Sequence, residues 1–516
     1  MRTTRPPRCA PPPPSPRAAR AATAAPAPTT HLTPLPASCI LYLSPQVRIL
    51  NFSRPHMRAF HFNWVAFFFS FFAWFAIAPL VPYLRVSLDL CDNGNWDVLT
   101  DPRQCICSNA CKRTLQNGNI LNVVGAVAMR LVMGTWVENA GPRFSMAFIV
   151  IAFALPVAGI GLVTNAAGYI AARFFIGGIG SSFVVCQFWS SVMFSPNVVG
   201  AANATVGGWG NLGGGVTQIV MSQVGAGLAA SVGYNNGWRY ANLVPACFLV
   251  LIGVGLMLFS DDVPEGKFKE LYASGQRKKQ SYSALIMASG KDPRVWALCF
   301  IYGGCFGTEV AMNQQLAPYF FGYFGLSVTN AGWAAAGFGL MNLFARSLGG
   351  LISDYMSSRL GHRARHWVLF FTQTMAGLML LTFSRMKSDN FAGAMVVLLC
   401  FSFSVQMAEG ATFAIVPYVG KILKALGPVA GIVGAGGNIG AALWGVIYRE
   451  VSTSDPDPRA PFLVHGFAVL ATCLLVPFVH YPSLGSMFFP ATETDEKPDV
   501  QPAVKMQASA DVARSA

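Results

Sequence analysis

Arg130-Leu-Val-Met-Gly134-Thr-Trp-Val-Glu138 and Arg346-Ser-Leu-Gly-Gly350-Leu-Ile-Ser-Asp354 carry one spacing twice, arginine–x3–glycine–x3–acid, 216 positions apart and inside otherwise apolar runs. A guanidinium at mid-bilayer depth costs about 2.5–3.5 kcal/mol on insertion scales, so two at matched positions are not chance survivors. The pair implies two related halves facing each other, each supplying one fixed positive charge to a shared anion. A second echo follows in the same order. Gly207-Gly-Trp-Gly-Asn211-Leu-Gly213 matches Gly434-Ala-Gly-Gly-Asn438-Ile-Gly440, both reading G-x-x-G-N-x-G. Two echoes in register point to a duplicated six-helix unit.

The composition agrees. Of 516 residues, 53% are hydrophobic and only 11% charged, with a mean hydropathy of +0.46. A soluble chain of this length carries roughly twice that charge. The apolar residues fall in runs of about 20, the length of a bilayer-crossing helix, and they run continuously where a membrane barrel strand would alternate. The fold class is therefore an all-α, multi-pass membrane protein in the lipid bilayer.

Twelve spans are expected, at approximately 60–84, 118–138, 144–163, 166–191, 201–226, 238–259, 295–320, 328–354, 366–384, 391–418, 427–448 and 461–481. They divide the chain into a basic N-terminal extension (1–58), a six-helix bundle (59–260), a polar central loop (261–294), a second six-helix bundle (295–481) and a tail (482–516). Basic residues mark one face: Arg143 after span two, Arg359, Arg363 and Arg365 after span eight, and the Arg277-Lys278-Lys279 loop. By the positive-inside rule that face and both termini are cytoplasmic, with the plasma membrane expected and an organelle envelope as the alternative. The net charge of +14 then reads as topology, without a nucleic-acid partner. Residues 1–58 hold eight Arg and no acid. This is a disordered composition, with the bias of a transit peptide or of an over-extended start preceding Met57.

Cys91, Cys105, Cys107 and Cys111 crowd the polar loop before span two. Their spacing lacks a metal-type pattern and a histidine partner. On an outer face, one or two disulfides of open connectivity are the better reading. Cys9 and Cys39 carry no pattern, and the remaining cysteines are small core residues.

Within the spans, Arg130 and Arg346 lie eight residues from Glu138 and Asp354, about 12 Å along a helix and too far to pair. A planar oxyanion suits them, because the guanidinium fork presents parallel donors and never loses its charge. Asn211 and Asn438 can donate to the same anion or bond between helices. Glu309 and Glu409 are candidate proton carriers; neutralising an arginine or capping a polar cavity are the alternatives. The Tyr302 hydroxyl can point into the same space or simply pack. Glu138, Arg143 and Asp354 form charged corners suited to a breakable latch. No P-loop, catalytic grouping, cofactor motif or metal cluster is present in the sequence, which argues against an enzyme and for transport driven by gradients.

With these residues laid out, positions 59–481 resemble the nitrate/nitrite porter family of the major facilitator superfamily. The resemblance rests on Phe62-Asn-Trp-Val-Ala-Phe through Ala78-Pro-Leu, Ala171-Ala-Arg-Phe-Phe-Ile-Gly with Gln187 and Trp189, Gly207 to Gln218, Gly337 to Asp354, and Gly431 to Gly440. It implies a twelve-helix fold in two pseudo-symmetric bundles and alternating-access transport of nitrate, and of nitrite as a further substrate; since a negative interior would exclude uncoupled nitrate at about 2.3 kcal/mol per charge per 100 mV, proton symport is the expected coupling. It also implies an anion held by Arg130, Arg346, Asn211, Asn438 and Tyr302. An accessory membrane subunit is a further candidate partner. Nitrate/nitrite exchange, another small oxyanion or organic phosphate, and a non-transporting sensor are the rival readings. Glu138 departs from the superfamily's usual aspartate, and neither the Cys-rich loop nor the arginine-rich N-terminus is a general family feature.

Overall fold

The structure, a computed structural model, describes residues 44, 46–195, 198–274, 287, 289–422, 426–481 and 484–489. Cys9, Cys39, the Arg277-Lys278-Lys279 run and nearly all of the tail lie outside the described residues. Twelve long helical rods organise the rest. They are α1 (His56–Ser87), α2 (Asn109–Ala140), α3 (Pro142–Leu162), α4 (Ala166–Met193), α5 (Val199–Val232), α6 (Tyr234–Phe259), α7 (Pro293–Gly322), α8 (Val328–Leu360), α9 (Arg363–Phe383), α10 (Phe391–Ile422), α11 (Leu426–Ser454) and α12 (Ala460–Phe478).

Eleven of these are long and apolar enough to cross a membrane. α2 has 32 residues and is thus about 48 Å long. Its first turns, begun by the Ser108 side chain capping Cys111 N, are polar, so it starts nine residues before its expected boundary at 118. Hydropathy cannot see a helix whose outer third is amide and charge.

The duplication is visible in the turns. Gly141 (φ 86°) ends α2 and Gly361 (φ 82°) ends α8. Both occupy the left-handed region that a side chain strains to reach, so the same sharp corner is built twice. The bundles meet along α5 with α8 and α2 with α11. Where α5 crosses α8, a Cβ on Gly215 would strike the backbone of Gly339 and Leu340, so only glycine allows that approach.

On the face that carries the cysteines, Cys91–Cys105 and Cys107–Cys111 are disulfide-bonded. The loop docks on the bundle through Trp96, whose indole donates to Ser87 at 2.8 Å and stacks on Tyr234 at 4.8 Å. Hydrogen bonds on this face join the two halves. Gln116 and Gln315 exchange amide bonds at 3.0 and 2.8 Å. Lys112 donates to the Ser452 carbonyl at 2.9 Å, and Arg449 donates to Asn117 at 3.0 Å.

Candidate anion-binding site

Arg130 and Arg346 come to the centre of the molecule from opposite halves, each only 4% exposed. The ring of Phe306 on α7 stands between them, its centroid 5.9 Å from each guanidinium carbon. Phe183 of α4 lies 5.0 Å from the Arg130 guanidinium. Tyr302 stacks on Phe306 at 5.2 Å, and Phe413 closes the box edge-on to Tyr302 at 5.0 Å. Aromatic faces attract cations and exclude water, so both guanidiniums keep their charge within apolar walls.

The two arginines are held differently. Arg130 donates to main-chain oxygens, from Nε to Gly180 at 3.0 Å and from Nη1 to Gly434 at 2.9 Å. The Asn438 amide, oriented with its oxygen toward the guanidinium, accepts at 2.9, 2.7 and 3.3 Å. Gly434 and Asn438 belong to α11, so an N-half arginine is seated in the C-half by the second G-x-x-G-N-x-G motif. Those partners are neutral, and the Arg130 charge is left without a carboxylate bonded to it among the described residues. Arg346 instead forms an ion pair with Glu409 at 2.5 Å and donates to the Tyr302 hydroxyl at 2.9 Å. Of the roles open to Glu409 in the sequence, this is the neutralising one, and Arg346 is not the arginine free of counter-charge that its span suggested. The pairing needs α8 and α10 in close contact. A Cβ on Gly410 would collide with the Arg346 carbonyl, so the residue after Glu409 sets that distance.

Glu309 sits between amides. Asn211 Nδ2 donates to one carboxylate oxygen at 3.1 Å and Asn342 Nδ2 to the other at 2.7 Å. Asn211 thus bonds between helices across the two halves, and Asn438 does so through Arg130. Glu309 and Glu409 interact with one another and with Arg346, and both are fully buried. The core therefore holds two fixed cations and two carboxyls that face one another.

The corner residues lie elsewhere. Asp354 is ion-paired with Arg365 at 2.5 Å, which ties α8 to α9. The Arg143 backbone N–H donates to Asp262 and its side chain to the Ser260 carbonyl, both at 3.2 Å, tying α3 to the end of α6. The side chain of Glu138 lies outside the described residues. Phe183, Phe306, Phe413 and Asn342 were not singled out from the sequence; the 3-10 turn Met341–Leu343 that interrupts α8 is what aims Asn342 inward.

Residues 63–421 match the Major Facilitator Superfamily. High affinity nitrate transporter 2.5 of Arabidopsis thaliana is 37% identical over 443 residues, covering 86% of this chain and 83% of that protein. Nitrate transporter 2.2 of Chlamydomonas reinhardtii is 36% identical over 463 residues, covering 88% and 85% respectively. Among solved structures, the xylose transporter XylE from E. coli, in a partially occluded inward open conformation, superposes with a TM-score of 0.58 at 11% identity, over 82% of this chain and 97% of that one. That likeness concerns the fold alone; the sequence relatives carry the narrower grouping. With the two-half architecture and matching relatives along most of its length, the chain belongs to the nitrate/nitrite porter family of the Major Facilitator Superfamily, as a multi-pass membrane protein.

Proposed function

We propose that this protein transports nitrate across the plasma membrane by alternating access, with inward movement driven by protons. The observation that carries the reading is the placement of one buried guanidinium from each half on either side of Phe306. A small flat anion entering between them binds both halves at once, so its arrival and departure are coupled to their relative rocking. Both termini lie on the cytoplasmic side in this reading.

Charge supports coupling to protons. Two arginines and two carboxylates balance before the anion arrives, and nitrate leaves the buried core one negative charge in excess. A proton on Glu409 or Glu309 restores the balance; protons on both make the loaded carrier positive. Each elementary charge crossing 100 mV is worth about 2.3 kcal/mol, so a net positive load is drawn toward a negative interior. The sequence relatives named for nitrate favour this substrate among small oxyanions.

Uptake of labelled nitrate into proteoliposomes tests the proposal. Accumulation is expected to rise with an inward proton gradient and to fall at least tenfold in Arg130→Lys and Arg346→Lys, the scale of one lost charge-assisted hydrogen bond. Uptake that needs internal nitrite and ignores pH would replace symport by exchange. Wild-type kinetics in both lysine variants would remove the arginine pair from the mechanism.

A further inference from the structure

Arg173 of α4 is a third buried arginine that the site above does not use. It is 1% exposed, and among the described arginines it is the one with two buried donors, Nε and Nη1, lacking any partner. Its Nη2 donates to the Asn119 side-chain oxygen at 2.9 Å. No described carboxylate is ion-paired with it, and its near neighbour Tyr169 is a neutral phenol. A guanidinium cannot shed its charge to escape this setting, so the missing counter-charge has to come from elsewhere.

Its location says from where. Asn119 is eleven residues before Arg130 on α2, about 16 Å toward the Cys-loop face. The Asn119 amide reaches the Gln116 oxygen at 3.5 Å, and Gln116 is one member of the amide pair with Gln315 that joins the halves. Arg173, Asn119, Gln116 and Gln315 therefore form one polar line from a bare cation to the contact that shuts this face. Asn119 and Gln116 are only half-buried. When the Gln116–Gln315 pair parts, the line opens toward solvent, and beyond the surface cations Lys112 and Arg113 the two idle donors of Arg173 are the buried anion hooks at its inner end.

We propose that Arg173 and Asn119 form an outer anion subsite, which captures a small oxyanion through Arg173 Nε and Nη1 when the Cys-loop face is open and hands it inward to Arg130 and Arg346. The subsite rests on the transport reading, and its function is to raise the capture rate; the depth and grip of the central site are separate from it.

Two measurements test it. The first is the number of nitrate ions bound per chain at saturation, read by titration calorimetry on purified protein in which Gln315→Ala removes the amide pair on the Cys-loop face. Two ions are expected. One ion would overturn the subsite and leave the central site standing; none would overturn the transport reading itself. The second is the half-saturating external nitrate for uptake in Arg173→Gln and Arg173→Lys. Arg173→Gln is expected to raise it about tenfold with little change in maximal rate per surface-expressed molecule, and Arg173→Lys to recover part of that shift. A merely structural role would instead lower expression or maximal rate and leave half-saturation alone, and that result would overturn the proposal. Should Arg173→Gln fail to reach the membrane, the stoichiometry in Gln315→Ala and the Arg173→Lys half-saturation still decide it.

Discussion

In the proposed site, Glu409 competes with nitrate for Arg346. Its carboxylate already occupies Nη1 at 2.5 Å, so an arriving anion has to share the guanidinium with a charge of its own sign. A proton on Glu409 removes that repulsion, and linkage requires the converse: bound anion favours the protonated carboxyl. Nitrate affinity is therefore expected to rise by about tenfold between pH 7.5 and pH 5.5, the scale of one screened charge interaction. In Glu409→Gln the amide preserves size and removes the charge, so binding is expected to be tight at both pH values and flat between them, while gradient-driven accumulation is lost. Calorimetry at the two pH values reads the difference. A Glu409→Gln protein that keeps the wild-type pH slope would move the proton to Glu309, where Asn211 and Asn342 already supply donors to both oxygens.

At the scale of the elements, the turn from α8 to α9 holds a pH-sensitive contact. Gly361 reverses the chain, and His362 packs its ring 4.4 Å from Tyr418 and 5.1 Å from Tyr481. Burial, helped by the charges of His366 and Arg365, lowers its pKa to about 3. An unfolded histidine titrates near 6.5, so between these values the unfolded chain takes up a proton that the folded turn refuses. The contact's stability is thus complete above about pH 6.5 and is lost as the pH falls toward the folded pKa. The melting temperature of wild-type protein in detergent is expected to drop more between pH 7.5 and 5 than that of His362→Phe, with the two pH slopes coinciding above pH 7. Parallel curves throughout would mean the ring is hydrated in the folded state. This turn also marks what a sequence can and cannot disclose. Arg130, Arg346, Asn211 and Asn438 were legible because a polar group inside an apolar run is costly and therefore conspicuous. Phe183, Phe306 and Phe413 were not, because phenylalanine is equally at home against lipid. Which ring turns inward depends on helix rotation, fixed by approaches such as Gly410 against the Arg346 carbonyl. The Gly180 and Gly434 carbonyls that seat Arg130 are backbone and leave no residue-type signal at all.

For the molecule as a whole, the proposed alternating access demands that the contacts joining the halves on the Cys-loop face break in every cycle. The Gln116–Gln315 pair is the direct amide-to-amide link there, supported by Lys112 on the Ser452 carbonyl and Arg449 on Asn117. Neutral amide bonds suit a gate, since each contributes about 1 kcal/mol net and water replaces it when the face opens. Replacing both glutamines by cysteine converts the reversible link into a covalent one. In Gln116→Cys/Gln315→Cys, oxidation is expected to abolish nitrate uptake and a reductant to restore it, with either single variant unaffected. The background should lack Cys247 and Cys400, the exposed free cysteines among the described residues, so that the new pair alone responds. The Cys91–Cys105 and Cys107–Cys111 disulfides will also meet the reductant, and the single variants control for their loss. Uptake that continues with the cross-link in place would mean that the two halves need not separate on this face, and the rocking mechanism would fail for this protein even with the arginine pair intact.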